Sequence, residues 1–241
     1  MAHVHRFYVE PEAAEETVAV LEGAEAHHAL HVVRVQPGDA VVLFDGQGRE
    51  LEGRVASATR HDLSVEITRE RSVQPETHTL TLIQAALHRE KSVEDLIRRC
   101  TELGVAGFVF FASERSERPP RMTEKWRRWA IESCKQCGRL WLPGFHIASS
   151  LEAALEGQWS ALLTATASAP PVPIRSAAAG NRVALAVGPE GDFASGELEM
   201  MLARGALPIS LGPMTFRSEV AATTASALIL YELGFLGPVA P

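Results

Sequence analysis

Residues 80–112 read LTLIQAALHREKSVEDLIRRCTELGVAGFVFFA and hold a strand, a helix and a second strand in close succession. Leu80 to Ala86 is a short apolar run of the kind a fully buried strand requires. Val93, Leu96, Ile97, Cys100 and Leu103 recur at helical spacing and share one face. Ser92 is placed to cap that helix, with Asp95 three residues on completing a capping box, and Gly104 ends it. Gly107 to Ala112 then supplies the next strand without a long loop. A strand, helix and strand this close together point to a parallel sheet with helices packed on its faces.

The same alternation runs on toward the C-terminus. Lys125 to Gly138 reads as a helix, Ala161 to Ala165 and Arg182 to Val187 as strands, and Ser195 to Arg204 as a helix stopped by Gly205. Pro208 to Leu211 is a last strand and Ser218 to Leu233 a long Ala-rich helix. Ala165 to Gly180, rich in Ala, Pro and Ser, reads as a loop.

Upstream the period changes. Ala40 to Phe44, Glu50 to Ser57 and Leu63 to Thr68 are short strands, the first two separated by a turn at Asp45-Gly46-Gln47-Gly48. Leu51, Gly53 and Val55, then Leu63, Val65 and Ile67, alternate with period two, as half-buried antiparallel strands do. A small β-barrel over residues 1–75, followed by an α/β domain over 76–241, is therefore expected, with the polar stretch Glu70 to His78 at the join.

With 241 residues, 46% of them hydrophobic, the chain is long enough for two unequal domains. No apolar run approaches the roughly 20 residues a membrane span needs, and Met1 to Glu10 lacks a secretory h-region, so a cytosolic location is expected. A net charge of -7 argues against indiscriminate nucleic-acid binding. The charge is unevenly spread: residues 1–75 carry seven Arg and no Lys against 13 acids, whereas 86–140 carry 12 basic residues against eight. Any RNA footprint should centre on that middle segment.

Three cysteines do not make a disulfide framework and suit a reducing compartment. Cys134 and Cys137 form a C-x-x-C with no second ligand pair, and with Trp126, Trp129, Ala130 and Ile131 they fall at helical spacing, so both are expected on a buried helix face. His27, His28 and His31 have no Cys or acidic partner at metal-ligand spacing, and no metal is expected.

Two segments are placed as ligand loops. Gly188-Pro189-Glu190-Gly191 follows the apolar strand ending at Val187 and precedes a helix, and Leu211 to Glu219 follows the last strand and leads into the last helix. Ligands in open parallel sheets bind beyond the carboxyl ends of strands, where glycines let backbone approach closely. Two such loops beyond neighbouring strands would close over one ligand. Neither is a Walker loop or a G-x-G-x-x-G dinucleotide loop. Taken by themselves the loops also fit ordinary turns, with Arg217 and Glu219 as a surface pair.

Arg6-Phe7-Tyr8-Val9, His27-His28 to Arg34-Val35, Glu102-Leu103-Gly104-Val105, Ser113-Glu114-Arg115-Ser116, Gln136-Cys137-Gly138-Arg139, Gly188 to Gly191 and Leu211 to Ala221 occur in one ordered series over nearly the whole chain. In order and spacing this series resembles the RsmE family, which methylates N3 of one uridine in small-subunit (16S) ribosomal RNA. The resemblance implies a PUA-like RNA-binding β-barrel and a SPOUT-class domain with a C-terminal trefoil knot. It also implies a homodimer and S-adenosylmethionine as cofactor, with no metal. By position, Thr164, Gly188, Pro189, Glu190, Gly191, Ile209, Leu211, Gly212 and Met214 would bind the cofactor. Arg6, Arg34, Lys91, Arg115 and Arg139 would contact RNA.

The chain departs from the family pattern in three places. Met214 stands for an arginine, Val220 for a threonine, and Asp192 for a glycine beside the first ligand loop. Arg217 and Glu219 are retained and are the candidate catalytic residues. Methylating N3 requires loss of its proton, so Arg217 is expected to stabilise the developing anion while Glu219 orients Arg217 or accepts the proton. N3 lies on the Watson–Crick edge, so the target must be unpaired or flipped out. An acidic protein choosing one such nucleotide is expected to read the folded surface of the small subunit. Alternative readings are an RNA-binding SPOUT protein without turnover, a ribose 2'-O-methyltransferase of the same class and, more remotely, a general nucleotide-binding enzyme.

Overall fold

The computed structural model describes residues 4–14 and 17–236; residues 1–3 of the N-terminal stretch lie outside them. The chain forms two compact units, one of residues 1–75 with 134–142, the other of 76–133 with 143–241. Among the described residues no helix is long and apolar enough to cross a membrane.

The first unit is a five-stranded half-barrel built from β1 (His5–Tyr8), β2 (Val18–Leu21), β3 (Ala40–Phe44), β4 (Arg49–Ala58) and β5 (Leu63–Ser72). Their order is β1-β3-β4-β5-β2, antiparallel except for β1 beside β3. Register shifts at Glu52/Gly53 and Val55/Ser57 bulge the long β4–β5 ribbon, and bulges of this kind increase the twist that curls a sheet. Phe7, Leu21, Leu43, Leu51, Leu63 and Val65 fill its core. A short helix α1 (Gly23–His27) continues into a wider π turn over His28–Val33, which closes at Arg34 in the left-handed conformation (φ 64°).

Residues 134–142 join this unit through specific bonds. The Trp141 indole donates to Val73 O at 3.0 Å, Gly48 N donates to Leu140 O at 3.1 Å, and Leu142 N donates to Gly46 O at 3.0 Å. The Asp45–Gly48 turn that carries two of these bonds is held by Asp45 Oδ1, which accepts from Gln47 N and Arg49 N. Gly48 has φ 97°, and a Cβ there would come within 2.5 Å of Val73 O, so both its conformation and its surroundings require glycine.

The second unit is a six-stranded, wholly parallel sheet of β6 (Thr79–Ala85), β7 (Gly107–Phe111), β8 (Gly144–Ile147), β9 (Ala161–Ala165), β10 (Arg182–Val187) and β11 (Leu207–Ile209), in the order β11-β9-β10-β6-β7-β8. Helices α2 (Glu90–Leu103), α3 (Glu124–Cys137), α4 (Leu151–Ala154), α5 (Ile174–Ala177), α6 (Ser195–Ala203) and α7 (Ser218–Glu232) connect and cover it. The strands are almost uninterrupted in apolar character because helices bury both faces, as β10 (RVALAV) illustrates with only Arg182 exposed. α7 packs back onto α2, β6 and β10.

Three expectations need correction. Helix α2 begins at Glu90, with Arg89 as its N-cap and no side-chain cap bond, so Ser92 is inside the first turn and does not form the expected capping box. Its other end is as expected: Gly104 takes φ 106° and its N–H returns to Cys100 O and Thr101 O. Second, Cys137 is exposed while Cys134 is buried, because Cys137 falls in the last turn, beyond the stripe of Trp126, Trp129, Ala130 and Cys134. Third, the strands before the two ligand loops are not neighbours, since β9 lies between β10 and β11.

Burial pushes the thiols of Cys100 and Cys134 up to about 12 and leaves them unreactive. Ellman's reagent is therefore expected to titrate a single thiol in the native protein. Cys137→Ser should abolish that signal, and labelling of Cys100 under native conditions would contradict the packing of α2.

Candidate active site

The carboxyl ends of β9, β10 and β11 feed three loops into one cleft. Its walls are residues 165–167, 187–190, 192 and 209–216, with Ser218 and Ala221 of α7 behind, and it opens to solvent. The insertion of β9 between β10 and β11 adds the loop with Ala165 and Thr166 to the two read from sequence.

Gly188 is the tightest point of the first loop. A Cβ there would approach Phe193 N to 3.0 Å and the Asp192 backbone to 3.1 Å. Its carbonyl accepts from the Ser218 hydroxyl at 2.5 Å and from Gln84 Nε2 at 3.2 Å, and Gln84 also donates to Ser218 Oγ at 3.0 Å. Gln84 and Ser218 are buried, so this triangle ties the end of β6, the ligand loop and the start of α7 together. Sequence reasoning missed both residues. A lone amide ending the apolar run Leu80–Ala85 was the available signal, because a buried amide demands partners.

Asp192, the carboxylate standing where the family pattern has glycine, adopts φ 58°. Aspartate tolerates that left-handed region better than most residues, and its Oδ1 accepts from Phe193 N at 2.8 Å. The loop conformation is thereby kept without the glycine. Gly212 takes φ 102°, and Met214 is 74% exposed at the rim.

Of the residues expected to bind cofactor, Gly188, Pro189, Glu190, Ile209, Leu211, Gly212 and Met214 line the cleft. Thr164 and Gly191 do not. Thr164 is fully buried in β9 with its hydroxyl unpartnered, one residue short of the wall. Gly191 faces outward, and its carbonyl accepts from Arg115 Nη1 at 2.8 Å. Arg115 is itself anchored by its neighbours: Glu197 of α6 accepts from Ser113 Oγ at 2.8 Å and from Glu114 N at 3.0 Å.

Arg217 and Glu219 line a second cavity, together with His88, Arg89, Ser92, Glu117 and Glu190. Glu190 belongs to both walls, and residues 216–219 alternate between them, with Phe216 and Ser218 on the cleft and Arg217 and Glu219 on the second cavity. Among the described residues no ion pair joins Arg217 to Glu219, so Glu219 does not orient the guanidinium in this arrangement. His88 and Glu117 were not singled out by sequence.

The residues expected to contact RNA differ in availability. Arg6 pairs with Glu50, which also pairs with Arg71; burial of the Glu50 carboxyl opposes ionisation, but hydrogen bonds from the two guanidinium groups hold it below the usual range. Lys91 is exposed and pairs with Glu94 and Asp95 at 3.2 and 3.0 Å. Arg34 is exposed at the end of the π turn, and Arg139 is half-buried in the 134–142 segment.

A family model described as an RNA methyltransferase domain matches residues 74–230, and one described as an RNA methyltransferase PUA domain matches 21–68. Ribosomal RNA small subunit methyltransferase E of Synechocystis sp. is 30% identical over 240 residues, covering 93% of this chain and 77% of the relative. The protein of that name from Mycobacterium tuberculosis is 32% identical over 233 residues, covering 91% and 88%. Among solved structures, ribosomal RNA small subunit methyltransferase E from Neisseria gonorrhoeae bound to S-adenosyl methionine superposes with a TM-score of 0.82 at 26% identity, covering 95% of this chain and 98% of that one. With a matched domain model over more than half its length and relatives at this identity along nearly all of it, the chain belongs to the ribosomal RNA small subunit methyltransferase E family.

Proposed function

We propose that this protein methylates N3 of one uridine in 16S ribosomal RNA, using S-adenosylmethionine, on the small subunit in the cytosol. The observation that carries the reading is the pair of cavities sharing Glu190, one built largely of loop backbone and the other of charged side chains around Arg217. The first fits the cofactor: its walls are largely loop backbone with apolar contact from Ile209 and Leu211, and Gly188 lets the loop fold closely against the Asp192–Phe193 backbone. Gly188, Glu190, Ile209, Leu211 and Gly212 would hold it, chiefly through backbone groups and apolar contact. When bound, it supplies an electrophilic methyl group on a sulfonium centre.

In this reading the target uracil enters the second cavity, where Arg217 opposes the charge that develops on the ring as N3 loses its proton. The half-barrel unit is the RNA-binding PUA-like domain, with Arg34 and Arg139 as its contacts, and Lys91 and Arg115 serve from the methyltransferase unit. Arg6 acts chiefly by holding Glu50. The trefoil knot belongs to the same proposal and is supported by the return of α7 onto β6 and α2. So does a homodimer: Val220, Thr224, Leu228 and Tyr231 form one stripe of α7, and Leu228 and Tyr231 are 43% and 62% exposed, an apolar surface that a second copy would cover.

The test incubates the protein with labelled S-adenosylmethionine and small subunits from a strain lacking the uridine methylation, followed by nucleoside mass spectrometry. N3-methyluridine is expected, with far less product on short free RNA. A ribose-methylated product would assign the other chemistry of the class. Cofactor binding without product, beside a working control enzyme, would leave an RNA-binding protein without turnover.

A further inference from the structure

His88 is placed at the second cavity by the backbone that follows β6, and its N–H donates to Glu190 Oε1 at 3.0 Å. Its ring nitrogen Nδ1 lies 2.6 Å from Glu117 Oε2 and 3.4 Å from Arg118 Nη2. The shorter contact, to an acceptor, makes Nδ1 the protonated nitrogen. In a neutral ring the other nitrogen, Nε2, then carries the lone pair, which is how a carboxylate fixes the tautomer of a histidine base. The remaining charged groups of that wall are Arg89, Arg217, Glu190 and Glu219. Glu90, Arg118 and Arg121 stand on the other side of His88.

The reaction requires a base that accepts a proton from a weakly acidic imide. As a class, imidazole is a much stronger base than carboxylate while remaining largely unprotonated at neutral pH. We propose that His88, oriented by Glu117, is the base that takes the N3 proton. This rests on the uridine-methylation reading. The N3–H proton passes to Nε2, N3 bonds the methyl carbon, and the carbon–sulfur bond breaks with its electron pair retained by sulfur. Arg217 balances the charge on the uracil oxygens, and Glu219 takes no proton. Glu117 acts as a positioning residue, since its carboxylate is engaged by His88 Nδ1.

The experiment measures single-turnover methylation of undermethylated small subunits against pH for the parent, His88→Gln, Glu117→Gln and Glu219→Gln, with cofactor affinity determined separately by calorimetry. His88→Gln is expected to lower the rate about 100-fold and to remove the acid limb of the profile. Glu117→Gln should lower the maximal rate about tenfold without raising the subunit concentration needed for half-saturation. Cofactor affinity should be unchanged in both, and imidazole should partly restore a His88→Gly variant. His88 is exposed, so these variants are expected to fold. A His88→Gln enzyme at the parental rate, or loss of the acid limb in Glu219→Gln instead, overturns the assignment. A parent that makes no N3-methyluridine overturns the methylation reading itself, and the assignment with it.

Discussion

Replacing Gly188 by valine is expected to raise the dissociation constant for S-adenosylmethionine by about 100-fold or more, equivalent to about 2.7 kcal/mol. The reason is steric and local. Even a single methyl group at this position would meet backbone atoms at 3.0–3.1 Å, and backbone cannot rotate away as a side chain can. A β-branched side chain adds two further carbons. Relief requires the Asp192–Phe193 segment to move, and with it the Gly188 carbonyl that Ser218 and Gln84 hold. Gly188→Ala should show the same effect at smaller size. Asp192→Gly serves as the control, because glycine accepts φ 58° without strain, and it should bind about as tightly as the parent. Calorimetric titration reads all three. A Gly188→Val protein that binds normally would mean that the cofactor does not use this loop.

The elements most legible in the sequence were those whose periodicity is local and long. β3 and β9 occupy the residues expected, and α7 and α3 agree within a residue or two. Gly104 announced the end of α2 because only a left-handed residue closes a helix that way. The strands β1, β2 and β8 were not anticipated. Each has only four residues, too few for a period-two signal to emerge. Nor was the attachment of residues 134–142 to the first unit. It rests on bonds from Trp141, Leu140 and Leu142 to partners many residues away, which leave no periodic trace.

The candidate site divides in the same way. Loops beyond strand ends carry glycine and proline signatures, so both long walls of the cleft were visible before the fold was known. The segment after β9 read as a loop but not as a third wall, because strand order decides which loop joins them. His88 and Glu117 lie 29 positions apart and meet only through the tertiary structure. Ordered motifs carried the family; the geometry of the second cavity depends on pairs of residues that no motif joins.

Arg217→Ala is expected to lower the methylation rate about 1,000-fold while leaving cofactor affinity nearly unchanged. The second cavity contains three carboxylates, from Glu117, Glu190 and Glu219, against Arg217 and Arg89 among its arginines. A uracil that becomes anionic inside it would be destabilised unless a guanidinium lay close. Two unit charges about 4 Å apart interact by about 4 kcal/mol at an effective dielectric near 20, and by about 1 kcal/mol in bulk water. The first value corresponds to about 1,000-fold in rate, the second to less than tenfold. Arg217 is exposed in this structure, so the larger effect requires that docked RNA exclude water from the cavity. Single-turnover rates of Arg217→Ala and Arg217→Lys on small subunits distinguish these cases. Partial recovery by lysine would assign the effect to charge, and no recovery to the planar two-nitrogen geometry of the guanidinium. A fall of less than about tenfold for alanine would mean either that the cavity stays wet or that the negative charge forms elsewhere. Repeating the measurement from low to high salt separates these two, because a solvated contact weakens with ionic strength whereas an uninvolved residue makes no difference at any salt.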